Sequence, residues 1–164
     1  MRLPPSRGNA PYTIGLVCSG NICRSPTAHV VLTAQLAEAG LADRVHVVSS
    51  GTGDWHVGEP MDQRSAATLR AAGYDPSRHR ARQLDTTWFD HDLLLVMDET
   101  NLAAVRRLGS GDPDRVRLFR DFDPVDPRCD VPDPYYGGKD GFTEVLAIVE
   151  RTGTAIVAAL ADTI

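Results

Sequence analysis

Cys18 is followed by five residues and then by Arg24, Ser25 and Pro26, in the stretch VCSGNICRSPTA that runs over residues 17–28. Each residue type there has a chemical use. A loop of small and polar residues, Ser19, Gly20, Asn21, Ile22 and Cys23, lets successive backbone N–H groups converge on one point. A helix starting at its end adds partial positive charge there. The same field favours thiolate over thiol at Cys18. Arg24 can fold back and grip two oxygens of a tetrahedral oxyanion in bidentate fashion. Gly20 allows close backbone approach and a positive φ, which Asn21 also tolerates. The Ser25 hydroxyl can donate to the sulfur when it becomes a leaving group. The stretch therefore specifies a nucleophilic thiolate in a cradle the size of a phosphate. A lone buried cysteine would be plain packing; this spacing between a strand and a helix is far more specific.

The elements needed to hold such a loop are legible around it. Residues 12–17 form a short apolar run that reads as a buried strand. Ser25 reads as a helix N-cap with Pro26 at the first helical position, and Gly40 as the stop. Residues 45–48 read as a second strand, 51–60 as a glycine-bearing loop and 61–72 as a second helix closed by Gly73. Residues 92–97 contain Leu-Leu-Leu-Val, which suits a central parallel strand covered on both faces. Asp98 can cap a helix that reaches Leu108, and residues 115–119 read as a fourth strand. Residues 120–139 are irregular and rich in Asp and Pro, and 140–164 carry apolar residues at helical spacing. This alternation predicts an α/β fold with a parallel sheet between helical layers. Ligands of such sheets bind beyond the carboxyl ends of the strands, where the Cys18 loop lies.

Composition excludes several classes. A chain of 164 residues fits one domain, expected over residues 11–164, with residues 1–10 as a flexible N-terminal arm. The net charge of −5 argues against nucleic acid as the main partner. No apolar run reaches membrane-spanning length, so membrane insertion is not expected. The N-terminal stretch lacks the apolar segment of a secretory signal. Three cysteines are too few for a disulfide scaffold, so a cytoplasmic location is expected; secretion without a signal peptide is compatible with the same features. Gly51, Gly53 and Gly58 do not complete a dinucleotide fingerprint, and the Cys and His spacing offers no zinc set.

The Cys18 stretch resembles the signature of the low-molecular-weight protein tyrosine phosphatases, Cys-x5-Arg-Ser/Thr with Asn-x-Cys inside it. Four further blocks follow in the family's order: Ser49-Ser50-Gly51-Thr52 with Trp55, Ser77 to Gln83, Met97 to Leu102, and Asp133-Pro134-Tyr135-Tyr136-Gly137. The resemblance implies a four-stranded parallel sheet flanked by helices on both faces. It implies hydrolysis of phosphotyrosine through a phosphocysteine, with no metal and no cofactor. Cys18 would be the nucleophile, Arg24 the phosphate clamp and Asp133 the general acid and then base. Ser19, Gly20, Asn21, Ile22, Cys23 and Ser25 would surround the phosphate. Trp55 and Tyr135 would wall the ring pocket, with His56 near the substrate. His79 would brace the loop and Asp98 would support it. The partner would be a phosphotyrosine-bearing protein or peptide, such as a bacterial tyrosine kinase or a host protein; an arginine- and alanine-rich chain fits a high-GC bacterium. Cys23 is positioned to trap an oxidised Cys18 as a disulfide, with small-residue packing as the other account. Cys129 reads as incidental. An arsenate reductase shares the cradle, but its thioredoxin-linked form needs a relay of further cysteines, and this chain has none between Cys23 and Cys129. A non-catalytic phosphotyrosine-binding module would not need Cys18, Arg24 and Asp133 together.

Overall fold

The computed structural model describes residues 1–109 and 111–164. Four parallel strands, β1 (Tyr12–Cys18), β2 (Val45–Gly51), β3 (Leu93–Val96) and β4 (Val116–Leu118), lie in the order β2-β1-β3-β4. Four α-helices alternate with them: α1 (Arg24–Glu38), α2 (Gln63–Ala71), α3 (Glu99–Leu108) and α4 (Lys139–Thr163). Register places Val17 opposite both Ser50 and Val96, and Cys18 opposite Gly51. The thiol therefore leaves the sheet at the carboxyl edge of a central strand.

Two apolar cores explain why β3 is hydrophobic throughout and β1 largely so. Side chains alternate across a strand. Ile14, Leu16 and Cys18 of β1, with Leu93, Leu95 and then Met97, join one core that includes α1 and α4. Val17, Leu94 and Val96 join the other, with Leu102 and Val105 of α3. Cys18 thus points to the face that α1 covers. Trp88 enters the second core from a short 3-10 turn at Thr86–Asp90, which the sequence reading did not assign.

Helix α1 begins one residue before the expected Ser25 cap. Cys23 is the N-cap, and no side chain caps the helix. A missing cap is worth about 1 kcal/mol. Burying Val31, Leu32 and Leu36 contributes about 1.5–3 kcal/mol each, so packing rather than capping fixes α1. Helix α4 lies along it: Gln35 Nε2 donates to the Glu150 carbonyl at 2.9 Å, and a Cβ on Gly153 would collide with Gln35 Oε1. Helix α2 starts at an Asp62 cap, whose carboxylate accepts from the Arg64 and Ser65 N–H groups, rather than at Met61. Helix α3 has the expected Asp98 cap.

Residues 1–10 carry several contacts. Leu3 is buried with the α1–α4 core, the Tyr12 hydroxyl donates to the Pro4 carbonyl at 2.9 Å, and the Arg7 N–H donates to Asp92 at 2.7 Å. Among the described residues no helix is long and apolar enough to cross a membrane, and no cluster of His, Cys, Asp or Glu is arranged to hold a metal ion.

Candidate active site

Between β1 and α1 the chain turns through Asn21, at φ 57°. The left-handed residue is thus Asn21, and Gly20 has no positive φ; Gly20 instead provides clearance, because a Cβ there would lie 3.1 Å from the His56 ring. Asn21 is fully buried and organises the loop. Its side-chain amide donates to Ser25 Oγ at 2.8 Å and to Ser49 Oγ at 3.1 Å, and its Oδ1 accepts from the Arg82 N–H at 3.0 Å. Its carbonyl lies 2.6 Å from His79 Nε2. A carbonyl only accepts, so Nε2 carries the proton. Burial lowers the His79 pKa, and Arg82 and Arg80 add to this, while the bond to Asn21 works against it.

Cys18 is buried at the floor of this loop. Its sulfur lies 2.9 Å from Ser25 Oγ and 3.3 Å from the Asn21 N–H. Because Ser25 Oγ accepts from Asn21, its own proton is free to point at the sulfur; its other acceptor, the Ser50 carbonyl, is further away at 3.3 Å. Among the described residues the N–H groups of Gly20, Ile22 and Cys23 have no acceptor in the protein, which leaves them for an anion at the α1 N-terminus.

Arg24 is nearly inaccessible and held at several points. Nη1 donates to Asp98 Oδ2 at 2.6 Å and to the Val131 carbonyl at 3.1 Å. Nη2 reaches Ser19 Oγ at 3.4 Å and Asp133 Oδ2 at 3.5 Å. Burial works to lower the Arg24 pKa, but the Cys18 sulfur and the carboxylates of Asp98 and Asp133 outweigh it and hold the guanidinium above its ordinary value. Asp98 does two jobs, since its other oxygen accepts from the Asn101 N–H at 2.7 Å and caps α3. The Asn101 side chain then donates to Ser19 Oγ at 3.1 Å.

These groups open into a pocket of about 510 Å³. Cys18, Ser19, Gly20, Ile22, Cys23 and Arg24 form its floor, and Asp133 reaches it from the loop before α4. Trp55, His56, Tyr135 and Tyr136 form the rim. The sites read from the sequence thus come together, with one difference. Asn21 and Ser25 do not line the pocket; they lie behind it and brace it. Asp98 and His79 also sit behind it, one against Arg24 and one against Asn21. Trp55 and Tyr136 are largely exposed, so the rim is aromatic and open. His56 Nδ1 pairs with Glu59 at 2.7 Å. Burial pushes the Cys23 thiol up to about 12, against a weaker opposing bond to Ser65. Cys129 lies outside the pocket, with its sulfur 3.3 Å from Asp126.

The structure also recruits Ser49, Arg82, Asn101, the Val131 carbonyl, Tyr136 and His29. His29 Nδ1 lies 3.3 Å from Ser49 Oγ. Burial lowers its pKa to about 4, reinforced by His79, Arg82 and His46. Ser49 opens the Ser49–Thr52 block, but no residue spacing distinguishes a serine that accepts from Asn21 from one that simply ends a strand.

A family model described as low molecular weight phosphotyrosine protein phosphatase matches residues 13–163. The chain is 46% identical over 156 residues to a low molecular weight protein-tyrosine-phosphatase of Streptomyces coelicolor, covering 92% of this chain and 94% of that protein. It is 46% identical over 142 residues to low molecular weight protein-tyrosine phosphatase A of Mycobacterium tuberculosis, covering 85% and 86%. The crystal structure of YfkJ from Bacillus subtilis superposes with a TM-score of 0.87 at 29% identity, covering 96% of this chain and 98% of that one.

Proposed function

The chain belongs to the low molecular weight phosphotyrosine protein phosphatase family, and on that premise we propose that Cys18, Arg24 and Asp133 carry out its hydrolysis of phosphotyrosine as nucleophile, phosphate clamp and general acid. The observation that supports this assignment best is the convergence of all three on one pocket, with the Cys18 sulfur between Ser25 Oγ and the Asn21 N–H.

Cys18 thiolate attacks phosphorus in line. The S–P bond forms as the P–O bond to the phenol breaks, and Asp133 gives its proton to the departing oxygen. Arg24 and the loop N–H groups hold the equatorial oxygens as charge redistributes. Water then attacks the phosphocysteine with Asp133 as base, and sulfur leaves as thiolate. Ser25, which accepts from Asn21 and can donate to sulfur, favours that departure. The exposed aromatic rim supports a phosphotyrosine side chain presented on a protein or peptide, its ring against Trp55 and Tyr135. Three free thiols support work in a reducing, cytoplasmic setting, with a tyrosine kinase of a bacterial cell or a host protein as candidate substrates.

The test is turnover of p-nitrophenyl phosphate and of phosphotyrosine peptides. Cys18→Ser is expected to abolish it, and Asp133→Asn to slow it by about 10²–10⁴-fold, with a steeper dependence on leaving-group pKa. Hydrolysis that survives Cys18→Ser overturns the assignment. Reduction of arsenate would reassign the pocket.

A further inference from the structure

Asp133 stands in a loop with few ties of its own. Among the described residues, the hydrogen bonds of residues 132–138 are local, apart from the long contact between Asp133 and Arg24. The last firm anchors before it are at Asp130 and Val131. Asp130 Oδ1 accepts from the Glu99 N–H at 3.0 Å. The Val131 N–H donates to the Met97 carbonyl at 2.7 Å, and the Val131 carbonyl accepts from Arg24. What holds Asp130 and Val131 therefore sets both the guanidinium and the start of the acid loop.

That hold leads to Arg120, a buried arginine outside every motif in the sequence. Its Nε donates to Asp123 Oδ2 at 3.0 Å, its Nη1 to the Asp130 carbonyl at 2.9 Å and its Nη2 to Asp126 Oδ2 at 3.3 Å. Its own carbonyl accepts from the Arg128 N–H at 3.2 Å. One side chain and one carbonyl thus tie residues 123, 126, 128 and 130 together. Asp123, fully buried, is locked in turn by Arg151 of α4 through bonds of 2.9 and 2.8 Å and by the Val125 N–H at 2.9 Å. A guanidinium suits this work because its planar fork serves several acceptors at once, which a lysine ammonium cannot do in fixed directions.

We propose that Arg120 is a positioning residue for the general acid, acting through Asp130 and Val131 to fix where Asp133 stands. This rests on the assignment of Asp133 as the acid. Arg120 touches no substrate. Its effect follows from the sensitivity of proton transfer to placement, since a shift of about 1 Å can cost about 10²-fold.

The signature is selective. A leaving group of low pKa departs without a proton, so a displaced acid costs it little. A leaving group of high pKa needs the proton and suffers. Arg120→Met is expected to lower kcat/KM by about tenfold for an unsubstituted phenyl phosphate and by less than threefold for a dinitrophenyl phosphate, moving the slope towards that of Asp133→Asn. The double variant Arg120→Met/Asp133→Asn is expected to be no slower than Asp133→Asn by more than about threefold, because residues acting as one unit are not additive. Arg120→Lys, which keeps the charge but not the fork, is expected to fall between. If Arg120→Met fails to fold, Asp126→Asn removes one exposed leg of the clamp and should move the slope in the same direction. Equal losses across all leaving groups, or full additivity in the double variant, would overturn the role of Arg120. An Asp133→Asn slope no steeper than that of the unaltered enzyme would instead overturn the assignment of the acid.

Discussion

Replacing Asp98 separates two functions that one carboxylate performs. Oδ1 caps α3 and Oδ2 holds Arg24 at 2.6 Å. In Asp98→Asn the amide oxygen can still accept from the Asn101 N–H, but the amide nitrogen then faces the guanidinium, donor against donor. The cap survives and the ion pair is lost. Side-chain exposure is 3% for Arg24 and 17% for Asp98, so the guanidinium is buried and the carboxylate partly so. Breaking such a pair costs about 3–5 kcal/mol. Arg24 retains the Val131 carbonyl and its attraction to Cys18 and Asp133, so the low end, about 3 kcal/mol, is expected. For a domain of this size that lowers Tm by about 6–12 °C. Asp98→Ala loses the cap as well, about 1 kcal/mol more. Urea titration and thermal melts should rank the unaltered protein above Asp98→Asn, and that above Asp98→Ala. A guanidinium displaced by about 1 Å should also cost about 10²-fold in kcat on p-nitrophenyl phosphate. An Asp98→Asn protein within 1 kcal/mol of the unaltered one, or identical to Asp98→Ala, would refute the division of labour between the two oxygens.

Other perturbations address the bracing behind the pocket. His29 is held neutral, its pKa lowered to about 4, so between about pH 4 and 6.5 the unfolded chain binds more protons than the folded one. Stability should rise with pH across that window, by up to about 3 kcal/mol; His29→Gln should flatten the rise in urea midpoint, and an unchanged slope would remove His29 as its source. Gly51→Ala puts a Cβ 2.7 Å from the Ser19 carbonyl oxygen and 3.1 Å from the Asn21 nitrogen, both backbone, so a loss of about 1–3 kcal/mol and a fall in activity above tenfold are expected from melts and kinetics. After mild peroxide, mass spectrometry should find a Cys18–Cys23 bridge. Because burial pushes Cys23 up to about 12, the bridge should form faster as pH rises; sulfinic or sulfonic acid alone at Cys18 would count against it.

Most of the architecture could be read from the chain because its signals were local. The apolar runs of β1 and β3 follow from burial on both faces, and Asp98 reads as a cap because a cap needs only its own helix. The Cys18 loop was legible because anion binding by backbone needs one contiguous stretch. Ser25 was legible as a partner of the Cys18 sulfur, but its reading as a helix cap failed for a physical reason. A serine at a strand–helix junction carries the standard cap signal, while its real partners, Cys18 and Asn21, outcompete the helix N–H groups through tertiary placement. Thr86–Asp90 carries no helical period over so few residues; besides its Asp85 cap, the packing of Trp88 beside Gly15 fixes it, and a Cβ at Gly15 would lie 2.8 Å from that ring. Arg120 and His29 were invisible because their roles depend on partners that the fold, and not the spacing, supplies.

The packing of α4 on α1 orders events during synthesis. The thiol loop leaves the ribosome early, but the helix that backs its α1 scaffold, and the Arg151 that locks Asp123, follow much later in the chain. A nascent chain held at the exit tunnel carries a complete set of reactive groups on an unfinished support. Enzymatic competence should therefore wait for α4 to pack, with Leu160 seated in the core.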